Sequence, residues 1–301
     1  MFYGSLDMTI TLRQLEIFEK VASGRHVTQA SEQLFITQSA VSMAIAELEK
    51  FVGAPLFERR GRRLLLNDRG RLIVPKVQDV LRQVSTIEQM LSESIGEPIG
   101  ILRVGASTTV GNYLLPAIVG EFSRQYPRAK VLLQVGNTGQ IEHEVETGAL
   151  DLGIIEGPPH AGSLHSTLWR SDELVVIVEK GHPWALQKKV SNSMLEQAPW
   201  IMREKGSGTR EVFESAMKKK GITCTISMEL GHTEAIKKAV EAGLGISCLS
   251  RMAVARELAH AWLMEVNSNL DLRRNLIVLT RDSGYRTALL SAFLSLLDAN
   301  K

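Results

Sequence analysis

The sequence lacks the features of disulfide-rich secreted proteins and of membrane proteins. It has two cysteines, Cys224 and Cys248, among 301 residues, which are too few for a disulfide framework or a zinc site. No run approaches the ~18 apolar residues of a transmembrane helix, and residues 1–18 contain no basic segment followed by an apolar core, as a secretory signal would. We therefore expect a cytoplasmic protein with buried free thiols, no metal and no cofactor.

The composition shows no strong bias. Hydrophobic residues make up 44% and charged residues 23% of the chain, an ordinary globular balance. A net charge of +2 does not by itself predict nucleic-acid binding. The chain has about twice the length of a typical domain, so we expect two or three domains.

Three helices are predicted over 12–53. The first covers 12–22, the second begins near Val27, and the third has Thr37 as its N-cap and Gly53 as its C-cap. Apolar residues at spacings of three and four predict the buried faces of the first and third helices; these residues are Leu12, Leu15, Phe18 and Val21, then Val41, Ile45, Leu48, Phe51 and Val52.

Only two residues separate the second and third helices, which is typical of a helix-turn-helix. In such units the second helix enters the major groove of DNA. Gln38, Ser39 and Ser42 project from its first turns, away from the apolar stripe, and Gln can bond adenine while Ser can donate or accept. The alternative interpretation is that Thr37 and Ser39 only cap the helix.

A basic turn follows the third helix. The segment "PLFERRGRRLLLNDRG" sets four arginines around one glycine and is typical of a hairpin wing. Arginines at such a position suit phosphates or a narrow minor groove. A solvated surface is the alternative, but the preceding helix-turn-helix pattern favours phosphate contact by Arg59, Arg60, Arg62 and Arg63.

A long helix is predicted over 67–94. Apolar residues recur along it at spacings of three and four, namely Val77, Val80, Val84, Ile87 and Leu91. A lone helix must bury such a stripe, and a second copy of itself is the simplest partner, which gives a two-fold dimer. Pro75 predicts a kink or a later helix start.

These N-terminal elements resemble the LysR family of bacterial transcription regulators. The stretches "LRQLEIF", "TQASEQL", "TQSAVSMAIAELE" and "PLFERR" match its N-terminal signature, with Met43 as a departure where many relatives carry a basic or amide residue. The resemblance implies an all-α winged helix-turn-helix domain at 8–66 that binds promoter DNA, a linker and dimerisation helix at 67–95, and an effector-binding domain at 99–301. It adds Arg13, Thr28 and Thr37 to the DNA-binding residues.

The rest of the chain alternates predicted strands and helices after a Gly/Pro break at 94–100, which indicates an α/β fold. The LysR resemblance extends over this part. It implies two lobes like those of type 2 periplasmic solute-binding proteins, with lobe I at 99–169 and 277–301 and lobe II at 170–276. It also implies a homodimer through the linker helix, pairing of dimers into a tetramer, and RNA polymerase as a further partner.

Ligands of open α/β sheets bind beyond the carboxyl ends of strands. Four strand-to-helix junctions here, "GASTTVGN", "VGNTGQ", "REKGSGTRE" and "LGHTEA", are rich in glycine and hydroxyl residues, and helix N-termini suit anions. N-capping explains each hydroxyl alone, but their convergence on one cleft, which rests on the two-lobe resemblance, predicts an anion site. Its candidate residues are Ser107, Thr108, Thr109, Asn137, Thr138, Glu156, Arg203, Gly206, Ser207, Thr209, His232 and Thr233.

Two of these residues leave alternatives open. Glu156 could bond a ligand donor or pair with Arg203, and His232 could donate to an anion or be structural. The stretches "GNYLLPAI", "IIEGP", "APWIMREKGSGTRE" and "GLGISCLSR" resemble a branch of the LysR family with relatives among regulators of sulfur metabolism. That likeness favours sulfite or sulfate as the effector, with a small carboxylate as the alternative.

Two other classes of protein fit less well. The sequence contains no G-x-x-x-x-G-K-[ST], G-x-S-x-G or H-E-x-x-H motif, so we do not expect an enzyme. A solute-binding protein would account for the second half only. The sequence leaves open the target promoters and whether the regulation is activation or repression.

Overall fold

The residues described by the computed structural model are 10–24, 26–60, 63–92, 98–282 and 286–301. The chain divides into two compact units, with the boundary between Leu91 and Ser92. Within the described ranges, none of the helices has the length and apolar character of a membrane span. The same ranges contain no group of three or more His, Cys, Asp or Glu side chains arranged to hold a metal ion.

The first unit begins with the three predicted helices. They are α1 Leu12–Gly24, α2 Val27–Leu34 and α3 Gln38–Val52. The Thr37 hydroxyl accepts a hydrogen bond of 3.2 Å from the backbone N–H of Ala40, which confirms Thr37 as the N-cap of α3. Gly53 ends α3 with φ of 72°, a left-handed conformation that favours glycine, so the predicted C-cap is also confirmed.

The apolar faces of these helices meet in one core, but the predicted faces extend too far. Phe18, Val21 and Val41 are fully buried in it. Leu12 is 48% exposed and Phe51 is 56% exposed, so their assignment to the buried faces is wrong, and Val52 is likewise exposed. These residues lie in the first turn of α1 and the last turn of α3, where burial depends on which segments pack against the helix and not on spacing alone.

The predicted wing and long helix follow. The wing is an antiparallel hairpin of β1 Phe57–Arg60 and β2 Arg63–Leu66. The long helix is α4 Asp68–Ser92, which begins before Pro75 and contains it, so the later start is wrong. Its predicted stripe is only partly covered within this unit, because Val77 is buried while Val80 and Ile87 are exposed.

The second unit alternates strands and helices, as predicted. Its strands are β3 Gly100–Ser107, β4 Ala129–Gly136, β5 Leu152–Glu156, β6 Leu164–Glu179, β7 Pro199–Met202, β8 Thr225–Glu229, β9 Ser247–Ser250, β10 Leu263–Val266 and β11 Arg273–Arg281. Its helices are α5 Thr108–Tyr113, α6 Leu115–Gln125, α7 Thr138–Glu146, α8 Asn192–Gln197, α9 Gly208–Lys219, α10 Thr233–Glu241, α11 Arg251–Ala259 and α12 Ala288–Ala299, with a 3-10 turn at Pro183–Leu186. The short strand β10 shows no clear alternation of buried and exposed residues, and its sequence does not indicate a strand.

A seven-stranded sheet with the order β10-β6-β11-β5-β3-β4, and with β9 also paired to β6, runs through this unit. β3 pairs in parallel with β4 and β5, whereas β11 pairs antiparallel with β5 and β6. β6 pairs with β11 along its first part and with β9 and β10 along its second part. β6 therefore runs from the first lobe into the second, whereas β11 lies along β5 and the first part of β6. β7 and β8 form a separate parallel pair.

Separate hydrophobic cores define the two lobes. The first lobe, with β3, β4, β5, α6 and α12, packs around Phe122 and Phe293. The second lobe, with β7, β9 and α9, packs around Trp200 and Phe213 on one side of its sheet and has a further core on the other. Cys248 is buried in the second lobe, as predicted, whereas Cys224 is only partly buried.

Candidate functional site

The first turns of α3 present a polar surface. Gln38, Ser39 and Ser42 are exposed there, while the opposite side of the helix is buried. The capping interpretation holds for Thr37, whose hydroxyl accepts from the backbone N–H of Ala40 and also lies 2.9 Å from the hydroxyl of Ser39. The side chains of Gln38 and Ser42 form no hydrogen bond to the described residues, which leaves them available to a partner.

Two further predicted DNA-binding residues lie on α1 and α2. Thr28 is exposed near the start of α2. Arg13 donates from Nη2 to the carbonyl of Leu34 at 3.1 Å and pairs with Glu16 at 2.6 Å. Arg13 therefore ties α1 to the end of α2, a structural role that its sequence position did not indicate.

The wing brings the backbones of three predicted arginines to the end of the hairpin. Arg59 and Arg60 lie in β1, and Arg60 is the register partner of Arg63 in β2. Arg62 lies outside the described residues. A basic hairpin end of this kind can carry positive charge to phosphates or into a minor groove.

The predicted effector residues come together where the two lobes meet. Arg203 follows β7 in the second lobe and donates from Nη2 to Thr108 Oγ1 in the first lobe at 3.0 Å. The backbone N–H of Gly139 donates to the carbonyl of Gly206 across the same boundary at 3.2 Å. Three of the four predicted junctions therefore converge. We call this region the cleft; its residues are Ser107, Thr108, Asn137, Arg203, Glu204, Gly206 and Ser207.

The lobes pack closely together at Gly208, the first residue of α9. A Cβ atom there would lie 2.0 Å from the carbonyl oxygen of Glu156 and 2.7 Å from Thr138 Oγ1, distances that only glycine avoids. Gly206 has φ of 87°, which also favours glycine. The glycines of "GSG" thus serve the close contact of the lobes.

Glu156 is fully engaged within the protein. Its carboxylate accepts hydrogen bonds from Thr109 N at 2.6 Å, Thr209 Oγ1 at 3.1 Å and Arg274 Nη1 at 2.8 Å. Its ion-pair partner is Arg274, so the suggested pairing with Arg203 is wrong. Burial acts to raise the pKa of Glu156, but the charge of Arg274 and the bonds from Thr109 outweigh burial and lower the pKa, so the group is an anion.

Arg274 is a central residue that no sequence motif indicated. Its side chain is fully buried, and it donates from Nε to Asp172 at 2.7 Å and from Nη2 to Thr109 Oγ1 at 3.1 Å. Asp172 in turn accepts from Ser250 Oγ at 2.9 Å. The available sequence signal is a pair of arginines at the start of the apolar strand β11, but Glu156, the partner of Arg274, lies 118 residues away.

The structure separates the capping side chains from the free ones. Asn137 caps α7, since its side chain accepts a backbone hydrogen bond of 3.0 Å. Ser107 and Ser207 occupy the positions before α5 and α9 without making a side-chain cap bond. Both serines are buried, and Ser107 Oγ has no hydrogen-bond partner among the described residues. A buried hydroxyl without a partner costs free energy that a ligand can recover.

The fourth predicted junction lies at the start of α10. Thr233 is buried at the start of α10, whereas His232 is exposed and its ring forms no hydrogen bond to the described residues. Glu234 accepts a bond of 3.0 Å from the hydroxyl of Tyr113, which links α10 to the first lobe. Among the described residues, neither His232 nor Thr233 forms a side-chain hydrogen bond to Arg203.

Comparison with known proteins covers both units. The family model described as bacterial regulatory helix-turn-helix protein, lysR family, matches residues 12–71, and that of the LysR substrate binding domain matches 95–301. The uncharacterized HTH-type transcriptional regulator YeiE of Escherichia coli is 43% identical over 86% of this chain and 87% of its own length. The HTH-type transcriptional activator CmpR of Synechocystis is 36% identical over 82% of this chain and 81% of its own.

Two solved structures are similar as well. The Synechocystis CcmR regulatory domain in complex with 2-PG superposes with a TM-score of 0.63 at 33% identity, covering 67% of this chain and 97% of that one. Full-length CbnR in complex with its target DNA has a TM-score of 0.73 at 18% identity, covering 97% of this chain and 100% of that one. At that identity, the likeness to CbnR shows the fold alone.

Proposed function

Because the chain belongs to the LysR family of DNA-binding transcriptional regulators, which are not enzymes, we propose that it is switched by a small anion bound in the cleft. The observation that carries the proposal is the buried guanidinium of Arg203, which donates to Thr108 in the other lobe, together with two buried serines of the same junctions, Ser107 and Ser207, whose hydroxyls make no cap bond. One serine comes from each lobe. A ligand held by both would be bound more tightly when the lobes are together than when they are apart.

An anion suits the cleft better than a cation or an apolar molecule. The buried acidic group at the lobe contact, Glu156, is already neutralised by Arg274, and the acidic residue of the cleft, Glu204, is paired with Arg203. The helix α9 begins directly after the cleft residue Ser207, and helix N-termini favour negative charge. The bound 2-PG of the related CcmR domain is consistent with this class of ligand.

Sulfite or sulfate is the favoured effector and a small carboxylate is the alternative. A compact oxyanion can accept hydrogen bonds from a guanidinium and from serine hydroxyls at once. Among the twelve predicted effector residues, Thr109, Thr209 and Glu156 hold the protein together, as their mutual bonds show. We therefore assign direct contact to Ser107, Thr108, Arg203 and Ser207.

DNA recognition is assigned to the first unit. Gln38, Ser39 and Ser42 would read base edges, while the wing arginines would hold phosphates. The exposed Val80 and Ile87 of α4 would pack on the same helix of a second copy and make a dimer. We further propose a dimer of dimers, contact with RNA polymerase, and action in the bacterial cytoplasm, where promoter DNA is found.

A thermal-shift screen tests the effector proposal. Sulfite, sulfate, thiosulfate, 2-PG and small carboxylates should be compared, and we expect at least one oxyanion to raise the melting temperature. The double variant Ser107→Ala, Ser207→Ala removes hydroxyls that form no cap bond, and it should remove most of this rise. Ser295→Ala, on the exposed side of α12, is the control. A full rise in melting temperature in the double variant would show that the ligand binds elsewhere.

A salt titration tests the wing. The double variant Arg60→Ala, Arg62→Ala should weaken binding to all DNA sequences alike, and each lost phosphate contact should reduce the slope of log affinity against log salt by about 0.9. Gel shifts over a range of salt concentrations measure that slope. A slope equal to that of the parent protein would remove the wing from the phosphate contacts.

A further inference from the structure

The charged end of Arg203 is already occupied by the residue that follows it. Glu204 accepts two hydrogen bonds from this guanidinium, from Nε at 2.8 Å and from Nη2 at 2.8 Å. This is the two-pronged geometry with which arginine binds carboxylates and similar anions. The carboxylate of Glu204 thus sits where an anionic ligand of Arg203 would make its best contact.

We propose that Glu204 is a built-in competitor of the effector, which sets the anion concentration needed for the response. The inference rests on the proposed anion site and adds a residue that lowers its affinity. An incoming anion must displace the Glu204 carboxylate from Nε and Nη2 of Arg203. Ligands that bind through one weakly basic oxygen would fail to do so, so Glu204 also selects for anions with two acceptor oxygens.

The exposure of the two partners fits this exchange. The Arg203 side chain is 3% exposed, and its guanidinium also donates to Thr108 Oγ1 at 3.0 Å, so it keeps one partner when Glu204 leaves. The Glu204 side chain is 25% exposed and lies in the loop before α9, so it can turn toward water when it is displaced. Burial acts to raise the pKa of Glu204, but the Arg203 guanidinium outweighs burial and lowers the pKa, so the competitor carries a full charge.

The other arginines near the cleft are held differently. Arg274 is locked between the buried Glu156 and Asp172. Arg210 pairs with Glu214 at 2.7 Å and with Glu229 at 2.6 Å, two carboxylates outside the cleft. Arg203 has a single acidic partner among the described residues, and that partner is partly exposed. It is therefore the guanidinium from which one carboxylate can be exchanged for another.

Glu204 also accepts a longer bond of 3.3 Å from Asn137 Nδ2 in the first lobe. If this contact were the purpose of Glu204, its removal would loosen the lobes and weaken an effector that binds between them. If Glu204 competes with the effector, its removal would instead strengthen binding. The two interpretations predict changes of opposite sign.

Calorimetric titration of Glu204→Gln with sulfate, sulfite and 2-PG decides between them. The amide keeps the size of the side chain but removes the charge. If Glu204 holds Arg203 for about nine-tenths of the time, the apparent Kd of the parent protein is ~10-fold above its intrinsic value, and the variant should recover that factor. Glu214→Gln is the matched control, because it removes the same charge from the second lobe and leaves Arg210 its pairing with Glu229.

A gain in anion affinity of ~10-fold with Glu204→Gln and of less than ~2-fold with Glu214→Gln supports the proposal. Equal gains in the two variants would show a general charge effect and overturn it, as would unchanged or weaker binding by Glu204→Gln. In both cases the anion site itself would stand, because the parent protein binds. If neither the parent nor Glu204→Gln bound any of the three anions, the proposed anion site would be rejected, and the role of Glu204 as a competitor would be rejected with it.

Discussion

The two units of this regulator differ in whether their functional polar residues are exposed or buried. In the first unit the candidate DNA-binding residues Gln38 and Ser42 lie on the surface, where an external partner can reach them. The second unit buries its polar residues between two lobes, and Glu156, Asp172 and Arg274 bond mainly to one another. A surface that reads DNA needs free donors and acceptors, whereas a two-lobed switch needs polar groups whose bonds depend on the lobe arrangement.

The units also differ in the chain distance over which their functional contacts form. In the first unit, Thr37 and Gln38 are placed by a helix start and a short turn, which are local features. In the second unit, Arg274 meets Asp172 from 102 residues away and Thr109 from 165 residues away. Mutations in the first unit should therefore change DNA binding with little loss of stability, and mutations in the buried network should do the reverse.

The largest effect is expected from Arg274→Met. Removing this guanidinium leaves the buried Glu156 and Asp172 without their counter-ion, and breaking a buried ion pair in this way typically costs ~3–5 kcal/mol. Urea denaturation of the effector-binding unit measures the loss in its free energy of unfolding. Arg273→Ala is the control, because Arg273 is exposed and pairs with the exposed Asp271; we expect no measurable change. A loss under ~1 kcal/mol for Arg274→Met, the scale of a surface pair, would contradict the buried network.

The next effect concerns the contact of the lobes. In Gly208→Ala, the new methyl group would collide with the Glu156 carbonyl oxygen, which only a separation of the lobes relieves. Overpacking of this kind costs ~1–3 kcal/mol, so the arrangement in which the lobes are in contact becomes less stable by that amount. The amide of Gly139, which donates to Gly206 in the other lobe, should then exchange hydrogen faster. Gly231→Ala is the control, since no atom lies within 4 Å of its added Cβ; equal exchange rates in both variants would refute the close contact.

In the first unit we expect an effect of comparable size, but on the free energy with which the protein discriminates between DNA sequences. Gln38→Ala removes a candidate base contact from an exposed position, so folding should be unaffected while discrimination at one base pair falls by ~1–3 kcal/mol. Binding to a panel of operators, each with a single changed base pair, measures the preference. If the preferences of Gln38→Ala match those of the parent at every position, Gln38 does not read bases.

The smallest effect is a pH dependence of the lobe contact. His160 lies between Glu211 of the second lobe, at 2.9 Å, and Glu142 of the first lobe, at 3.2 Å. The bond to Glu211 raises the pKa of His160 above its ordinary value of 6.5, and the bond to Glu142 adds to this. The stabilisation is therefore complete below pH 6.5 and is lost as the pH rises through the higher pKa of the folded protein.

Because the His160 side chain is 56% exposed, solvent weakens this contribution. His160→Asn should flatten the change in unfolding free energy between mildly acidic and alkaline pH. His165→Asn, at an exposed position on β6, should leave that change as it is in the parent protein. A pH profile of His160→Asn identical to that of the parent would remove His160 from the lobe contact.

The sequence alone determined most of the first unit and the general plan of the second. The N-cap Thr37, the C-cap Gly53, the short turn between α2 and α3 and the arginine-flanked hairpin follow from neighbouring residues, whose preferences act within a few positions along the chain. The alternation of strands and helices indicated an α/β unit for the same reason, and the family resemblance supplied its two lobes. The exposure of Leu12 and Phe51, at the ends of the apolar stripes, did not follow from their spacing, because burial depends on which segments pack against them.

Only the tertiary structure decided which polar residues of the cleft are free and which are already paired. Ser107, Asn137 and Ser207 all precede helices and look alike in sequence, yet Asn137 caps its helix and the serines do not. The pairing of Glu156 with Arg274 arises because β5 and β11 are neighbours in the sheet. Hydrogen bonds and ion pairs between distant segments depend on positions in space, and local sequence preferences carry no information about them.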